Sequence, residues 1–394
     1  MSTATHPEPP EAILLLPLEA EAEPAPVRRA GLVRRGWWGV ASAMEWLFGF
    51  AALFVGLAVL ASVPVGQFLA LGYLLEVSGR VSRTGRLRDG FIGVRTAARF
   101  GGIALGGVLL WLPLYGMSIM AEAARIIDPK GPISRQWELG LTILAVLFAV
   151  HFTEACLRGG KLRYFFRPLN VVWFVRRVLR GGAFQEARDK LWDTVVTLRL
   201  PYYFTFGSLG FVGALLWLAL PVALLGSGHK VPILGVIGAV MLVIVVLYLP
   251  FLQARFARDN RFRAYRELRA VRTEFGRAPL AFAFALWLQL LAAVPLYLLK
   301  IETIPRDLVF LEGMLFLAFL FPARLVAGWA YSRPARRTEP RHWVFRWVGR
   351  LLVLPAAFVY VLAVFFSLHT GWHGVVGLFN QHAFQLPVPF VAGS

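Results

Sequence analysis

Val231–Leu252, VPILGVIGAVMLVIVVLYLPFL, is a run of 22 residues without one formal charge. Crossing ~30 Å of hydrocarbon takes roughly 20 apolar helical residues, so this stretch is long enough to span a bilayer. Comparable apolar segments cover 46–73, 101–121, 138–157, 201–226, 279–299, 307–331 and 347–368, and arginine-rich segments separate them. In lipid every backbone polar group must find its partner inside the chain, which makes helices the form such segments take. The fold class that follows is an all-α polytopic transmembrane bundle: seven full spans, one re-entrant or additional span, and amphipathic basic helices on the cytoplasmic side.

Composition agrees with that class. Of 394 residues, 58% are hydrophobic and 16% charged, against about 25% charged in soluble domains. Lys+Arg number 41 and Asp+Glu 22, for a net charge of +19, and 36 of the 41 are arginine. A nucleic-acid partner would require that charge on a folded soluble face. Here it fills short connections between apolar runs, which points away from nucleic acid and toward anionic lipid headgroups at the cytoplasmic face. Protein partners or a homo-oligomer remain open. Cys156 is the sole cysteine, which excludes an intrachain disulfide and a redox thiol pair; it reads as a small apolar filler.

Charge also sets the topology. Connections 74–100, 158–200, 253–278 and 332–346 carry 29 Lys+Arg, whereas 122–137, 227–230 and 300–306 carry six. That alternation places the rich set in the cytoplasm and the carboxyl terminus outside. The start conflicts with a simple count, because Arg28, Arg29, Arg34 and Arg35 precede the first segment while the rich connection 74–100 follows it. Two solutions are open: a re-entrant hairpin broken at Ser62-Val63-Pro64-Val65-Gly66, or an outside amino terminus. Arg34-Arg35 before Trp37-Trp38 reads as a basic flank with an aromatic belt, not as a twin-arginine export signal. Residues 1–35 read as a disordered tail, 36–368 as the membrane domain, and 369–394 as a short extracytoplasmic tail.

Two inner segments carry helical apolar spacing among their cations. In 164–180, Phe166, Leu169, Val172 and Trp173 accompany Arg167, Arg176, Arg177 and Arg180, with Arg163 just ahead. In 255–272, Phe256, Phe262, Tyr265 and Leu268 interleave with seven arginines. Such helices lie in the headgroup plane, apolar side down, and the first arginine set is the candidate lipid-headgroup contact. Topology anchoring alone would explain the same pattern.

Few groups within the spans could carry chemistry. Glu312 and Arg324 share one segment, yet twelve residues put them ~18 Å apart and about 120° around a helix, so they cannot pair. Each needs a partner on another helix or must snorkel to an interface. His151 and Glu154 stand at i, i+3, the spacing of a proton relay or a structural hydrogen bond. Gln289 sits mid-segment, where an amide bonds across to a neighbouring helix. These five form the candidate intramembrane polar set. His369 and His373 in HTGWH, with His382 beyond, have no later Asp, Glu or Cys to complete a metal site. A zincin His-Glu-x-x-His, a Gly-x-Ser-x-Gly elbow and a phosphate loop are absent. No cofactor and no catalytic set are implied. Gly102-x-x-x-Gly106 and Gly207, Gly210, Gly213 are the small-residue device for close helix approach. Prolines 113, 221, 250, 295, 322 and 355 fall inside the spans, a pattern that transporters use and that structural helices also tolerate.

The stretch Pro64-x-Gly66, then Gly72-Tyr73-Leu74-Leu75-Glu76, then Arg80, Arg83, Arg86 and Arg88 resembles the opening of a domain-of-unknown-function family of prokaryotic multi-spanning membrane proteins. The likeness covers 46–120. It implies a bacterial inner-membrane location and transfers no catalytic residue. Two functions are open: a non-enzymatic protein that organises lipid or partners through its arginine-rich face, or a permease whose polar path uses Glu312, Arg324, Gln289, His151 and Glu154.

Overall fold

The computed structural model describes residues 32–63, 65–166, 176, 179, 181–299 and 309–370. It is 89% helical and, among the described residues, has no strand. Residues 1–44 and 45–394 form two units; in the first, the described part is the helical stretch 32–44. Of the tails expected at 1–35 and 369–394, residues 32–35 and 369–370 are helical, and 1–31 and 371–394 lie outside the described residues, His373 and His382 among them.

Twelve helices are described: α1 (Leu32–Ser62), α2 (Gly66–Thr84), α3 (Val94–Ile127), α4 (Pro132–Leu157), α5 (Leu162–Phe165), α6 (Ala183–Leu198), α7 (Leu200–Ser227), α8 (Pro232–Asp259), α9 (Leu268–Arg277), α10 (Pro279–Leu299), α11 (Val309–Ser332) and α12 (Trp343–Thr370). Seven stretches are long and apolar enough to cross a membrane, and α9 with α10, bent by 112° between them, makes eight if the pair is counted as one broken span. Local signals fix several ends. Pro132 and Pro232 start α4 and α8 with φ already set and no amide hydrogen to satisfy. Gly85 closes α2 at φ 71°, its N–H donating to Val81 O. Asn260 at φ 50° ends α8, and Arg199 at φ 48° separates α6 from α7.

The segment 46–73 corrects the expected partition. Its break does fall between Ser62 and Gly66, but α1 begins at Leu32, well upstream of the apolar run, so the first arm is a full-length span. The second arm, α2, continues into the basic segment and is buried over most of its length. The Trp46 and Phe91 rings meet at a tilt with centres 5.3 Å apart, and Gly49 faces Val94. The chain after α2 has therefore returned to the level of the early part of α1. Phe68 meets Gly207 and Gly72 meets Tyr203, so the twenty residues of α7 beyond Gly207 run on for ~30 Å past the start of α2. The pair is a hairpin whose returning arm starts short of the far end of α7.

One hydrophobic core joins α2, α7, α8, α10, α11 and α12 with the end of α1, and α3 and α4 contribute no side chain to it. Those two pack on each other and on α5. The glycines serve close approach, though not always to another span. Gly102 faces the backbone of Gly160–Leu162 and Gly106 faces the Phe165 ring, while Gly207 admits the Phe68 carbonyl and Gly213 the Tyr265 ring. The six prolines named above lie inside continuous helices.

Contacts gather the arginine-rich connections at one end of the bundle. Arg83 Nη1 donates to the carbonyls of Ala257 and Arg258, at 3.0 and 3.2 Å. Lys161 pairs with Glu45 at 2.8 Å, and the Arg341 amide donates to Gly276 O at 2.8 Å. We call this the basic end.

Candidate functional site

Three polar residues meet in the core. Gln253 on α8 is 1% exposed, Gln289 on α10 3% and Arg324 on α11 3%. Arg324 Nη1 donates to Gln253 Oε1, and Gln289 Nε2 donates to the carbonyl of Ala323 at 3.3 Å. Arg324 therefore does not snorkel; the helix face that carries it is turned into the bundle. Its Nε and Nη2 have no hydrogen-bond partner. Among the described residues no carboxylate lies within 4.0 Å of it. The Glu312 side chain lies outside what the structure describes. Gln253 was missed in the sequence because one amide before an arginine run carries no periodic signal.

His151 and Glu154 are both buried, yet they are not bonded to each other. His151 Nε2 meets the carbonyl of Phe165 at 3.0 Å, and Glu154 pairs with Arg158 at 2.8 Å. The first contact ties α4 to α5, and the second is an ion pair within the last turn of α4. They belong to the α3–α4–α5 layer, apart from the Gln253–Gln289–Arg324 cluster, so the five candidates do not line one path.

Below that cluster, toward the basic end, Arg255 joins three elements. It reaches Glu267 at 2.6 Å, Glu274 at 3.3 Å and the Tyr331 hydroxyl at 3.0 Å. Glu76 accepts from Arg83 at 2.7 Å and from Tyr202 at 2.9 Å, and the Tyr73 hydroxyl donates to Ile92 O at 3.0 Å. The Gly-Tyr-Leu-Leu-Glu motif is thus a clamp between α2, α7 and the end of α8.

The basic segment 255–272 departs from the single in-plane helix expected of it. Asn260 breaks it: residues up to Asp259 extend α8, a 3-10 turn covers Phe262–Arg266, and α9 follows. Phe256 and Tyr265, expected to dip into lipid, are buried in the bundle. Tyr265 donates to Gly210 O at 3.0 Å. Burial pushes its phenol well above the usual range, with the Arg324 charge pulling the other way, so the hydroxyl stays protonated and a donor. Charge is sorted along this segment. Between Arg261 and Arg277 the two glutamates, Glu267 and Glu274, bond inward to Arg255, whereas Arg263, Arg266, Arg269 and Arg272 are exposed. Among the described residues none of those four meets a carboxylate within 4.0 Å.

Of the other headgroup candidates, Arg163 is exposed and its guanidinium lies 4.9 Å from the Tyr164 ring. Arg176 is an exposed helical residue. Arg167, Arg177, Arg180 and the rest of the expected 164–180 helix beyond Phe166, apart from Arg176 and Leu179, lie outside the described residues. His369 lies in the last turn of α12 with its side chain undescribed, and among the described residues no three His, Cys, Asp or Glu form a metal-binding group. No family model, curated protein or solved structure matches the chain.

Proposed function

We propose that this chain is a non-enzymatic multi-pass protein of a bacterial cytoplasmic membrane that holds anionic lipid headgroups against its arginine-rich face. The observation that carries the reading is the sorted charge of 261–277. With Glu267 and Glu274 engaged by Arg255, the outward arginines keep their full attraction for phosphate, about 1 kcal/mol for each basic group near an anionic surface. The positive-inside pattern puts that face at the inner leaflet, where anionic lipid is found. The resemblance at 46–120 agrees with such a location.

Spin-labelled phosphatidylglycerol and phosphatidylcholine, compared in proteoliposomes of the full chain, test it. The anionic probe is expected to associate severalfold more strongly at low salt. The preference should shrink toward 1 M, where the screening length falls to ~3 Å, and R263Q/R266Q/R269Q should weaken it. Equal association of both probes at low salt overturns the reading.

A second reading, a permease, is supported by Arg324 alone. A buried guanidinium with two unused donors would suit an anionic cargo at mid-bundle, with Gln253 and Gln289 beside it. His151 and Glu154 have no part in that version. Anion uptake into proteoliposomes that survives in Arg324→Met would remove it.

A further inference from the structure

A cavity of about 520 Å³ opens among α8, α9, α10 and α12, near the basic end. That is the size of small-molecule sites generally. Its walls are apolar: Phe251 and Phe282 lie 4.2 Å apart at their ring centres, and Leu286 and Val353 are buried beside them. Two guanidinium groups stand in the lining. Arg272 Nε donates to the Tyr248 hydroxyl at 2.9 Å, which fixes its plane and leaves both Nη groups available. Arg350 sits 5.6 Å from the centre of the Trp347 ring. Both arginines are exposed, and among the described residues neither meets a carboxylate within 4.0 Å.

The two halves of this site select one occupant. A free inorganic anion would satisfy the guanidinium groups and leave apolar walls uncovered, and a dry apolar cavity gains nothing from water. A neutral lipid would cover the walls and leave two cations uncompensated. An anionic amphiphile does both. We propose that the cavity holds one anionic phospholipid, an acyl chain between α8 and α10 and its phosphate at Arg272 and Arg350. This rests on the lipid reading above and narrows it from a charged face to one discrete site.

Native mass spectrometry of the full chain, released from neutral detergent with added phosphatidylglycerol or phosphatidylcholine, tests the site. One phosphatidylglycerol per chain should persist under activation that strips phosphatidylcholine. R272Q/R350Q, both exposed positions, should weaken retention by about 5-fold per guanidinium removed. Leu354→Trp, which fills the mouth from a half-exposed position, should abolish it while the melting temperature holds. If both variants retain the lipid as the native chain does, the site is overturned. Displacement by glycerol 3-phosphate as readily as by phosphatidylglycerol overturns it too, because the acyl chain would then contribute nothing. A co-purified polypeptide lost in Leu354→Trp would do the same. Failure here leaves the spin-label preference intact if the outward arginines alone carry it. Failure of the broader reading would instead erase that preference in the native chain.

Discussion

Arg324 Nη1 on α11 donates to Gln253 Oε1 on α8, with both side chains closed to solvent. A guanidinium cannot shed its proton in a protein, so this contact must compensate a charge that the fold has withdrawn from water. It does so incompletely, since two nitrogens of the same side chain, Nε and Nη2, go unmet. The consequence is an asymmetry between the two partners. Gln253→Leu leaves the charge in place and should cost about 1.5–3 kcal/mol. Arg324→Met removes the burden itself and should be nearly neutral or stabilising. Denaturation of the purified chain in detergent, run as a double-mutant cycle, measures both. Equal losses in the two single variants would contradict the account.

Arg255 is a different case, because its charge is met by Glu267 and Glu274 and its position by Tyr331. Arg255→Leu strands two carboxylates that are only partly exposed, and should cost about 1–3 kcal/mol after allowance for solvent screening. Arg255→Lys should recover little of this, since one ammonium cannot reach partners on three sides as a planar fork does. The expected readout is a lower melting temperature in both variants. A lysine variant as stable as the native chain would show that charge alone suffices.

Close helix approach predicts a contrast between two glycines. At Gly72 an added methyl would strike the Tyr203 carbonyl, whereas at Gly116 it would meet nothing within 4 Å. Gly72→Ala should therefore destabilise by about 1–3 kcal/mol or more. Gly116→Ala should gain up to about 1 kcal/mol from helix propensity. Thermal unfolding followed by tryptophan fluorescence separates them, and a silent Gly72→Ala would refute the packing of α2 on α7.

Sidedness is testable with single cysteines in a Cys156→Ser background. Arg86→Cys and Arg263→Cys belong to connections that the structure gathers at one end, and Lys230→Cys lies in the turn between α7 and α8. In intact cells an impermeant thiol reagent should label Lys230→Cys and spare the other two until the membrane is opened. Labelling of Arg263→Cys from outside would reverse the map.

Much of the architecture is written locally. A charge-free run such as Val231–Leu252 has only one way to satisfy its backbone in lipid, so helix and span follow from the residues alone, and the arginine count of each connection orders the ends. The break at Ser62–Gly66 is legible from its own proline and glycine. Partners are not. Nothing near Gln253 announces that Arg324 will face it from 71 residues away. The spacing of His151 and Glu154 suggests a pair that packing then assigns to Phe165 and Arg158. Aromatic residues in 255–272 have the period of a lipid-facing helix, yet Asn260 breaks the run and the bundle takes Phe256 and Tyr265 inward. The cavity between Arg272 and Arg350 joins residues of four helices. Hydropathy and charge act on each segment by itself and decide how it meets the bilayer. Which polar groups meet inside depends on the rotation and register of one helix against another, and only the assembled bundle sets those.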